Sequence, residues 1–397
     1  MRILQINAVY KTKSTGRIVM ELHKFLQSRR IDSYVAFGTE NTDESNDPHV
    51  FRIGNTLDHK IHAIQYRIDH LQGCHSTIAT KNLLKRIQIL KPDIVLTHNL
   101  HSNYLNVPLL FRGLKDLGIP VVIDLHDCWF LTGGCYHYTA SGCNSWLSGC
   151  KNCKTLGNAA AKKYQINCDV FDYVHPTIVA TSKWIEGEAR KSLLNSRSDI
   201  YMIYDWIDRI SFYPRDTETI RKKIGAMGKT FILGVATGWA PDKGQNDMIE
   251  LARAMPDAII VLVGNQAIQV EYPANVKTIA FTDSKDELAQ LYSAADVFFN
   301  PSKQETFGLT SGEALACGTP IVVYKTTACP EFVTEYTGVV MEKGSDVVNA
   351  VRTMLQKNEQ YGRQFIREKC CEFVDSNFNM ERNIETYIEL FDKIIHQ

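Results

Sequence analysis

Two carboxylates and a lysine carry the clearest chemical signal in this chain. The run Asn300-Pro301-Ser302-Lys303-Gln304-Glu305-Thr306-Phe307-Gly308-Leu309-Thr310-Ser311-Gly312-Glu313 follows an apolar strand, turns through a polar loop and enters a helix near Gly308. A helix N-terminus offers unpaired backbone N–H groups and the positive end of the peptide dipole, which suits a phosphate. Gly308 removes the side chain where a diphosphate would approach the backbone. Glu305 stands just ahead of the helix and Glu313 more than one turn inside it. Carboxylates accept hydrogen bonds from hydroxyls, so this pair suits a nucleotide sugar, one carboxylate on the sugar and one on the ribose. An ordinary helix start with two solvated glutamates fits the same residues equally well. Lys243 lies between a strand and a helix, where it can reach a diphosphate as a point charge.

Three further groups sit past strand ends. Ser14-Thr15-Gly16-Arg17 follows the first strand, and on its own reads as a helix-start turn. Asp124-Leu125-His126-Asp127 ends another strand, and Thr97-His98-Asn99-Leu100-His101-Ser102-Asn103 a third, rich in hydrogen-bonding side chains. Cys135, Cys143, Cys150 and Cys153 form C-x7-C-x6-C-x2-C in a polar loop after His126. Four thiolates can close a tetrahedral zinc site, and the Cys150–Cys153 pair has the spacing of a zinc knuckle. An Fe–S cluster takes the same four ligands, and four small buried side chains are the chemically silent alternative. Cys128 is expected to pack beneath the loop. Gly228-Lys229-Thr230 is no P-loop: Lys223 stands where the motif needs a glycine, and a strand follows instead of a helix.

The segment from Glu305 to Glu313 resembles the E-x7-E motif of retaining glycosyltransferases of the GT-B fold, in particular glycosyltransferase family 4 of the polysaccharide-assembly type. Ala316-Cys317-Gly318-Thr319-Pro320-Ile321-Val322 is similar to the strand entry that follows in that family, and Pro330-Glu331 and Gly338 match its next loop. Ala328-Cys329 stand where glycines are usual there. The resemblance implies that Glu305 contacts the donor sugar and Glu313 the ribose, while the amides of Phe307, Gly308 and Leu309 hold the phosphates and sugar. It gives Lys243 to the diphosphate and Gly16, with Arg17, to the first donor loop. The family carries an Arg about five residues before this lysine; Gly238 stands there, and Arg17 is the candidate substitute. His126 takes the role of the family histidine that meets the donor sugar from the opposite domain. Asp127, His98, Asn99 and His101 are assigned to the acceptor side. The sugar would be transferred on one face, the leaving diphosphate helping to deprotonate the acceptor hydroxyl. A similar cysteine-rich insert follows the His-Asp pair in some members. No Asp-x-Asp pair occurs in the sequence, so chemistry without a catalytic metal is expected, with structural zinc on the cysteines.

These groups need a scaffold that gathers strand ends. Short apolar runs at 3–9, 34–37, 93–97, 121–125, 178–180 and 201–203 alternate with helical periods at 17–29, 83–90 and 107–117. The pattern resumes with strands at 231–235, 259–263, 276–280, 297–299 and 321–324, and helices at 246–255, 285–294, 309–316, 347–355 and 363–373. Alternation of this kind predicts parallel sheets covered by helices. The expected fold class is α/β, GT-B: two doubly wound Rossmann-like domains facing each other across a cleft. The first, acceptor-side domain covers 1–205 with a Cys-rich insert at 128–156. The second, nucleotide-sugar domain covers 206–376, with 204–216 as the hinge. A C-terminal helix over 377–397 should return to the first domain, its apolar residues Ile384, Tyr387, Ile388, Phe391 and Ile395 at helical spacing.

The composition fits this reading. The 397 residues are 44% hydrophobic and 22% charged, which excludes a disordered or fibrous chain. Lysine plus arginine equals aspartate plus glutamate at 44 each, which argues against a nucleic-acid partner. No signal peptide or membrane span is evident, so a cytoplasmic protein is expected, with peripheral contact at the inner face of the membrane left open. The expected activity is a retaining hexosyltransferase in surface polysaccharide biosynthesis, using a nucleotide-diphosphate sugar, UDP before GDP. Its acceptor would be a glycan or a polyprenyl-diphosphate-linked saccharide. The rivals are a nucleotide-sugar epimerase of the same fold and a non-enzymatic zinc-binding scaffold.

Overall fold

The computed structural model describes residues 1–39, 47–266, 270–280, 282, 284–342 and 344–397. The chain divides into two compact units, Met1–Ile203 with Ile384–Gln397, and Tyr204–Asn383.

In the first unit seven strands form one sheet: β1 (Arg2–Asn7), β2 (Asp32–Phe37), β3 (Val50–Arg52), β4 (Ile94–Thr97), β5 (Val121–Leu125), β6 (Thr177–Ala180) and β7 (Ile200–Met202). The order is β3-β2-β1-β4-β5-β6-β7, every pair parallel. All five residues of Val-Val-Ile-Asp-Leu in β5 are buried, as a central parallel strand covered on both faces requires. The helices are α1 (Lys13–Ser28), α2 (Thr56–Asp69), α3 (Thr77–Leu90), α4 (Val107–Asp116), α5 (Asn158–Val174) and α6 (Lys183–Lys191). The apolar face of α1 buries Ile18, Val19, Leu22 and Leu26. This helix begins four residues before the expected Arg17, so Gly16 and Arg17 belong to its opening turns and not to a preceding loop. The reason is local: Lys13, Ser14 and Thr15 are polar and add nothing to the apolar period.

The second unit repeats the plan with six parallel strands: β8 (Phe231–Trp239), β9 (Ile259–Gln266), β10 (Val276–Ile279), β11 (Val297–Asn300), β12 (Ile321–Tyr324) and β13 (Gly338–Met341). Their order is β10-β9-β8-β11-β12-β13. Around them lie α7 (Glu218–Lys223), α8 (Gln245–Ala254), α9 (Lys285–Ala294), α10 (Leu309–Ala316), α11 (Val347–Tyr361) and α12 (Arg363–Asn377). β8 runs past the expected Val235 to Trp239, with an irregularity between Val235 and Gly238. Residues 204–216, expected as a hinge, lie within this unit, with Trp206, Ile207 and Phe212 buried.

The last helix, α13 (Met380–Ile395), places Ile384, Tyr387 and Phe391 in full burial. Its residues from Ile384 belong to the first unit, where the Arg29 guanidinium lies 2.7 Å from Glu385. Among the described residues no helix is long and apolar enough to cross a membrane.

Burial of His62 makes the first unit sensitive to acid. Its Nδ1 lies 2.7 Å from Ser76 Oγ, its Nε2 has no hydrogen-bond partner, and burial, helped by the neighbouring His75, pushes its pKa down to about 4. An unfolded histidine titrates near ~6.5, so as pH falls the unfolded chain takes up the proton first. His62 therefore costs stability from about pH 6.5 down to about 4 and no more below that. Urea midpoints at pH 7 and pH 5 should differ less for His62→Gln than for the natural chain. A slope unchanged by the substitution would count against this burial cost. His23, His59 and His98 are lowered by burial too, so some slope should remain.

Candidate functional site

In an open parallel sheet, ligands bind beyond the carboxyl ends of the strands where the strand order reverses. In the second unit that point lies between β8 and β11. The loop after β8 carries Lys243, and the loop after β11 carries Glu305. The two side chains meet: Lys243 Nζ is 2.8 Å from Glu305 Oε1 and 3.2 Å from Ser302 Oγ. Burial disfavours the ammonium, but the Glu305 carboxylate more than offsets this, and Lys243 titrates above its ordinary range. The lysine is thus a fixed cation at neutral pH.

The backbone of Glu305 is fixed as well. Its N–H donates to Thr327 Oγ1 at 2.9 Å, and its carbonyl accepts from the Ala328 N–H at 3.2 Å. Thr326 Oγ1 donates to the Lys303 carbonyl at 3.0 Å, so the loop after β12 buttresses the loop after β11. Thr326 and Thr327 were not singled out by sequence; an isolated threonine pair carries no signal until its loop is seen beside Glu305. Phe307 anchors the next turn, its ring 5.1 Å from Phe332, 5.3 Å from Phe378 and 6.2 Å from Tyr204. Gly308 caps α10 at φ +108, a backbone state open to glycine, and supplies no side-chain cap. The first amides of α10 are therefore not capped by their own N-cap residue, and Leu309 opens the helix. Glu313 lies on α10, 4% exposed, and accepts a hydrogen bond from Tyr292 Oη at 3.2 Å. A carboxylate has lone pairs for further donors beside the tyrosine.

In the first unit the order reverses between β1 and β4, and the neighbouring strand β5 adds its own carboxyl end. Thr97 pairs with Ile123, so the next residues, His98 and Asp124, lie side by side. Gln5 pairs with Leu96, two residues before His98, and His126 follows Asp124 by two. Strand alternation therefore puts Gln5, His98, Asp124 and His126 on one face. His98 Nδ1 is 3.0 Å from His126 Nε2, and Asp124 Oδ2 is 3.3 Å from each of them. His98 Nε2 donates to Gln5 Oε1 at 3.2 Å. Burial opposes the Asp124 charge, but His126 and His98 outweigh it and hold the carboxyl well below the usual carboxylate range. His98, expected on the acceptor side, is only 1% exposed, and its ring meets Gln5, Asp124 and His126. His101 and Asp127 form a second pair, Nε2 to Oδ2 at 2.9 Å, with Asp127 Oδ1 accepting from the Trp129 N–H at 2.8 Å. Asn99 is held by its backbone, its N–H donating to Asn7 Oδ1 at 3.0 Å. Gly16 is buried against Val9 and the backbone of Lys11, and Arg17 is half-buried beside it. Gln5 and Asp124 were not among the predicted site residues; the register of β1, β4 and β5 is what recruits them.

The four cysteines are free thiols, and Cys128 is fully buried beside them in the core. Burial raises Cys135 and Cys150, Cys150 to about 11, and each is raised further by the other cysteines of the set. The Gly133 N–H donates to Cys150 Sγ at 3.1 Å and the Leu156 N–H to Cys153 Sγ at 3.3 Å. Among the described residues, the group of potential metal ligands whose donor atoms all lie within 4.8 Å of one another is His98, Asp124 and His126, and not the cysteines.

Residues 216–368 match the family model described as glycosyl transferases group 1. The alpha-monoglucosyldiacylglycerol synthase of Acholeplasma laidlawii is 24% identical over 99% of this chain and 98% of its own length. A GDP-mannose-dependent monoacylated alpha-(1-6)-phosphatidylinositol monomannoside mannosyltransferase of Corynebacterium glutamicum is 32% identical, over 34% of this chain and 39% of its own. The crystal structure of HepE from Anabaena in complex with UDP shares the fold at a TM-score of 0.68 and 15% identity, over 99% of this chain and all of that one. Residues 216–368 are thus similar to group 1 glycosyl transferases, and the two parallel-sheet units are consistent with the GT-B fold.

The contact between the two site loops rests on one glycine. Gly244 has φ +75, and a Cβ there would stand 2.4 Å from Pro301 Cβ and 2.6 Å from the Pro301 carbonyl oxygen. Gly228 has a similar φ of +67 with nothing within 4 Å. Gly228→Ala should therefore cost only the backbone strain, on the order of 1–2 kcal/mol. Gly244→Ala should lower the melting temperature clearly more, because Lys243 and the 300s loop must separate. Equal losses for the two variants would mean that Pro301 yields without cost.

Proposed function

We propose that this chain is a retaining glycosyltransferase that moves a sugar from a nucleotide-diphosphate sugar to a glycan or lipid-linked saccharide in surface polysaccharide biosynthesis. The observation that carries this reading is the Lys243–Glu305 contact at the strand-order reversal, beside the opening of α10. Lys243 and the amides at Gly308 and Leu309 neutralise the diphosphate, so no catalytic metal is required. Glu305 stands on the sugar side and Glu313 takes the ribose. The bond from the anomeric carbon to the diphosphate oxygen breaks, and the acceptor oxygen forms its bond on the same face. The leaving diphosphate takes the acceptor's proton, and His126 is assigned to the donor sugar. Asp127, Asn99 and His101 serve the acceptor. A UDP-sugar is favoured, in keeping with the UDP named in the HepE complex; the GDP-mannose named for the Corynebacterium relative makes a GDP-sugar the second choice.

The cysteines are assigned a structural zinc. Four neighbouring thiols with two N–H···S hydrogen bonds have the donor chemistry for it, and an ion would draw the sulfurs together. The acceptor is assigned to the cytoplasmic surface of a membrane, in keeping with the lipid product named for the Acholeplasma relative. An exposed stripe supports this contact: Leu57, Ile61, Ile64 and Ile68 are 66, 47, 58 and 78% exposed along one face of α2, with Lys60 and Arg67 exposed on the same helix. Such a helix can lie in the headgroup region of a bilayer.

Two experiments test the reading. Melting curves with UDP, GDP, ADP and CMP, all with EDTA present, should show stabilisation by one diphosphate; at a hundred times its Kd the gain is about 2.7 kcal/mol. Lys243→Ala should lose that gain, whereas Glu305→Ala should keep it and lower transfer by roughly a hundred-fold or more. Transfer left intact by Glu305→Ala in a folded protein would sink the proposal. In flotation with vesicles containing anionic lipid, the natural chain should rise with the lipid and Ile64→Glu/Ile68→Glu should not. Equal flotation would remove α2 from the membrane contact.

A further inference from the structure

The ends of β4 and β5 carry a feature beyond the part assigned to His126 in transfer. Three atoms able to offer electron pairs, His98 Nδ1, His126 Nε2 and Asp124 Oδ2, stand at the corners of a triangle with sides of 3.0, 3.3 and 3.3 Å. Ligands held tetrahedrally by zinc at ~2.0–2.1 Å are about 3.3 Å apart. We propose that these three residues form a binding site for a divalent first-row transition ion, zinc by its donor set, separate from the four cysteines.

The surrounding structure favours an ion over a proton. His98 donates from Nε2 to Gln5 Oε1, which leaves the lone pair of the neutral ring on Nδ1, at the triangle. A hydrogen bond from the far nitrogen to an oxygen acceptor is the usual outer support of a metal-bound imidazole. One proton on His126 Nε2 cannot serve both His98 Nδ1 and Asp124 Oδ2 well, whereas one cation can accept from all three atoms. Asp124 is 2% exposed and its other oxygen, Oδ1, has no hydrogen-bond partner. A buried carboxylate in that state is costly unless a cation faces it. Asp124 lies in β5, and His98 and His126 are the first residues past the ends of β4 and β5, so the adjacent strands set the triangle. His126 is the outermost of the three, its side chain 5% exposed against 0% and 1% for His98 and Asp124, which leaves the fourth coordination position on its side.

The ion binds through His126 Nε2, so it competes with the part assigned to His126 in transfer. Zinc is therefore an inhibitor of this enzyme, a consequence that rests on the transferase reading above.

Cobalt(II) tests the site. The Cys150→Ser/Cys153→Ser protein, with its knuckle pair removed, should bind one equivalent and develop visible d–d absorption without a sulfur charge-transfer band. Asp124→Asn in the same background keeps the side-chain shape and should abolish the band, as should His98→Ala. Zinc should raise the melting temperature of the cysteine variant and leave that of its Asp124→Asn derivative unmoved. Absence of saturable d–d absorption in the folded cysteine variant, or a band that survives Asp124→Asn, would overturn the site. A band accompanied by transfer that zinc does not slow would overturn the inhibition alone. The fate of the transferase reading is read separately, from Glu305→Ala without metal.

Discussion

Parallel strand pairing is the constraint on which the rest of this structure depends. Among the described residues thirteen strands in two sheets all run with their neighbours, so within each unit every carboxyl end emerges on the same edge. A reversal in strand order then separates two adjacent loops and leaves room between them. Each unit places ionisable groups there. In the second, the loops after β8 and β11 deliver a lysine and a glutamate to within 2.8 Å. In the first, β1, β4 and β5 deliver Gln5, His98, Asp124 and His126 to one cluster. The apolar runs that bury the strands and the polar residues that follow them are therefore two parts of one design: the first fixes where the second stand.

The two clusters differ in what holds their charges. Lys243 and Glu305 keep side-chain exposures of 34% and 23%, so solvent screens the pair and its value lies in position more than in stability. Glu305 holds the ammonium in position and keeps it charged. Asp124 and His98 are closed off almost completely, with exposures of 1% and 0%. In that setting a missing partner costs far more than at a surface, and a group that stays ionised must be matched by something equally fixed. In the absence of an ion that match is chiefly His126, the strongest of the groups that hold the carboxyl low.

Much of the scaffold was legible because buried parallel strands are nearly continuous apolar runs. Val121–Leu125 and Ile321–Tyr324 coincide with β5 and β12, and Lys285–Ala294 and Leu309–Ala316 with α9 and α10. The misses have physical causes. The end of β8 is Ala-Thr-Gly-Trp, whose small and polar residues hide a strand that continues by pairing with β9. α2 presents its apolar residues to solvent, so its period pointed to no core, and β3 is a three-residue strand too short for a pattern. Among the candidate residues, Glu305, Gly308 and Lys243 drew attention because each lies next to a helix start or strand end, and Glu313 by its spacing from Glu305. The support given by Thr326 and Thr327 was not, because it depends on how the loops after β11 and β12 meet.

The His98–Asp124–His126 cluster shows where linear reading stops and register begins. Asp124 and His126 could be placed on one face from their spacing alone. His98 could not join them without the pairing of Thr97 with Ile123, and Gln5 could not without its pairing with Leu96. The cysteines present the reverse case. Their spacing is conspicuous in the sequence, yet it is the histidines and the aspartate, ordinary by spacing, whose donor atoms close to metal-binding distances among the described residues. A sheet fixes its neighbours through backbone pairing, whereas a loop of Gly, Ser and Asn needs the ligand itself to draw its side chains together. Spacing in a loop thus speaks to what the chain can bind, and register in a sheet to what it already holds in place.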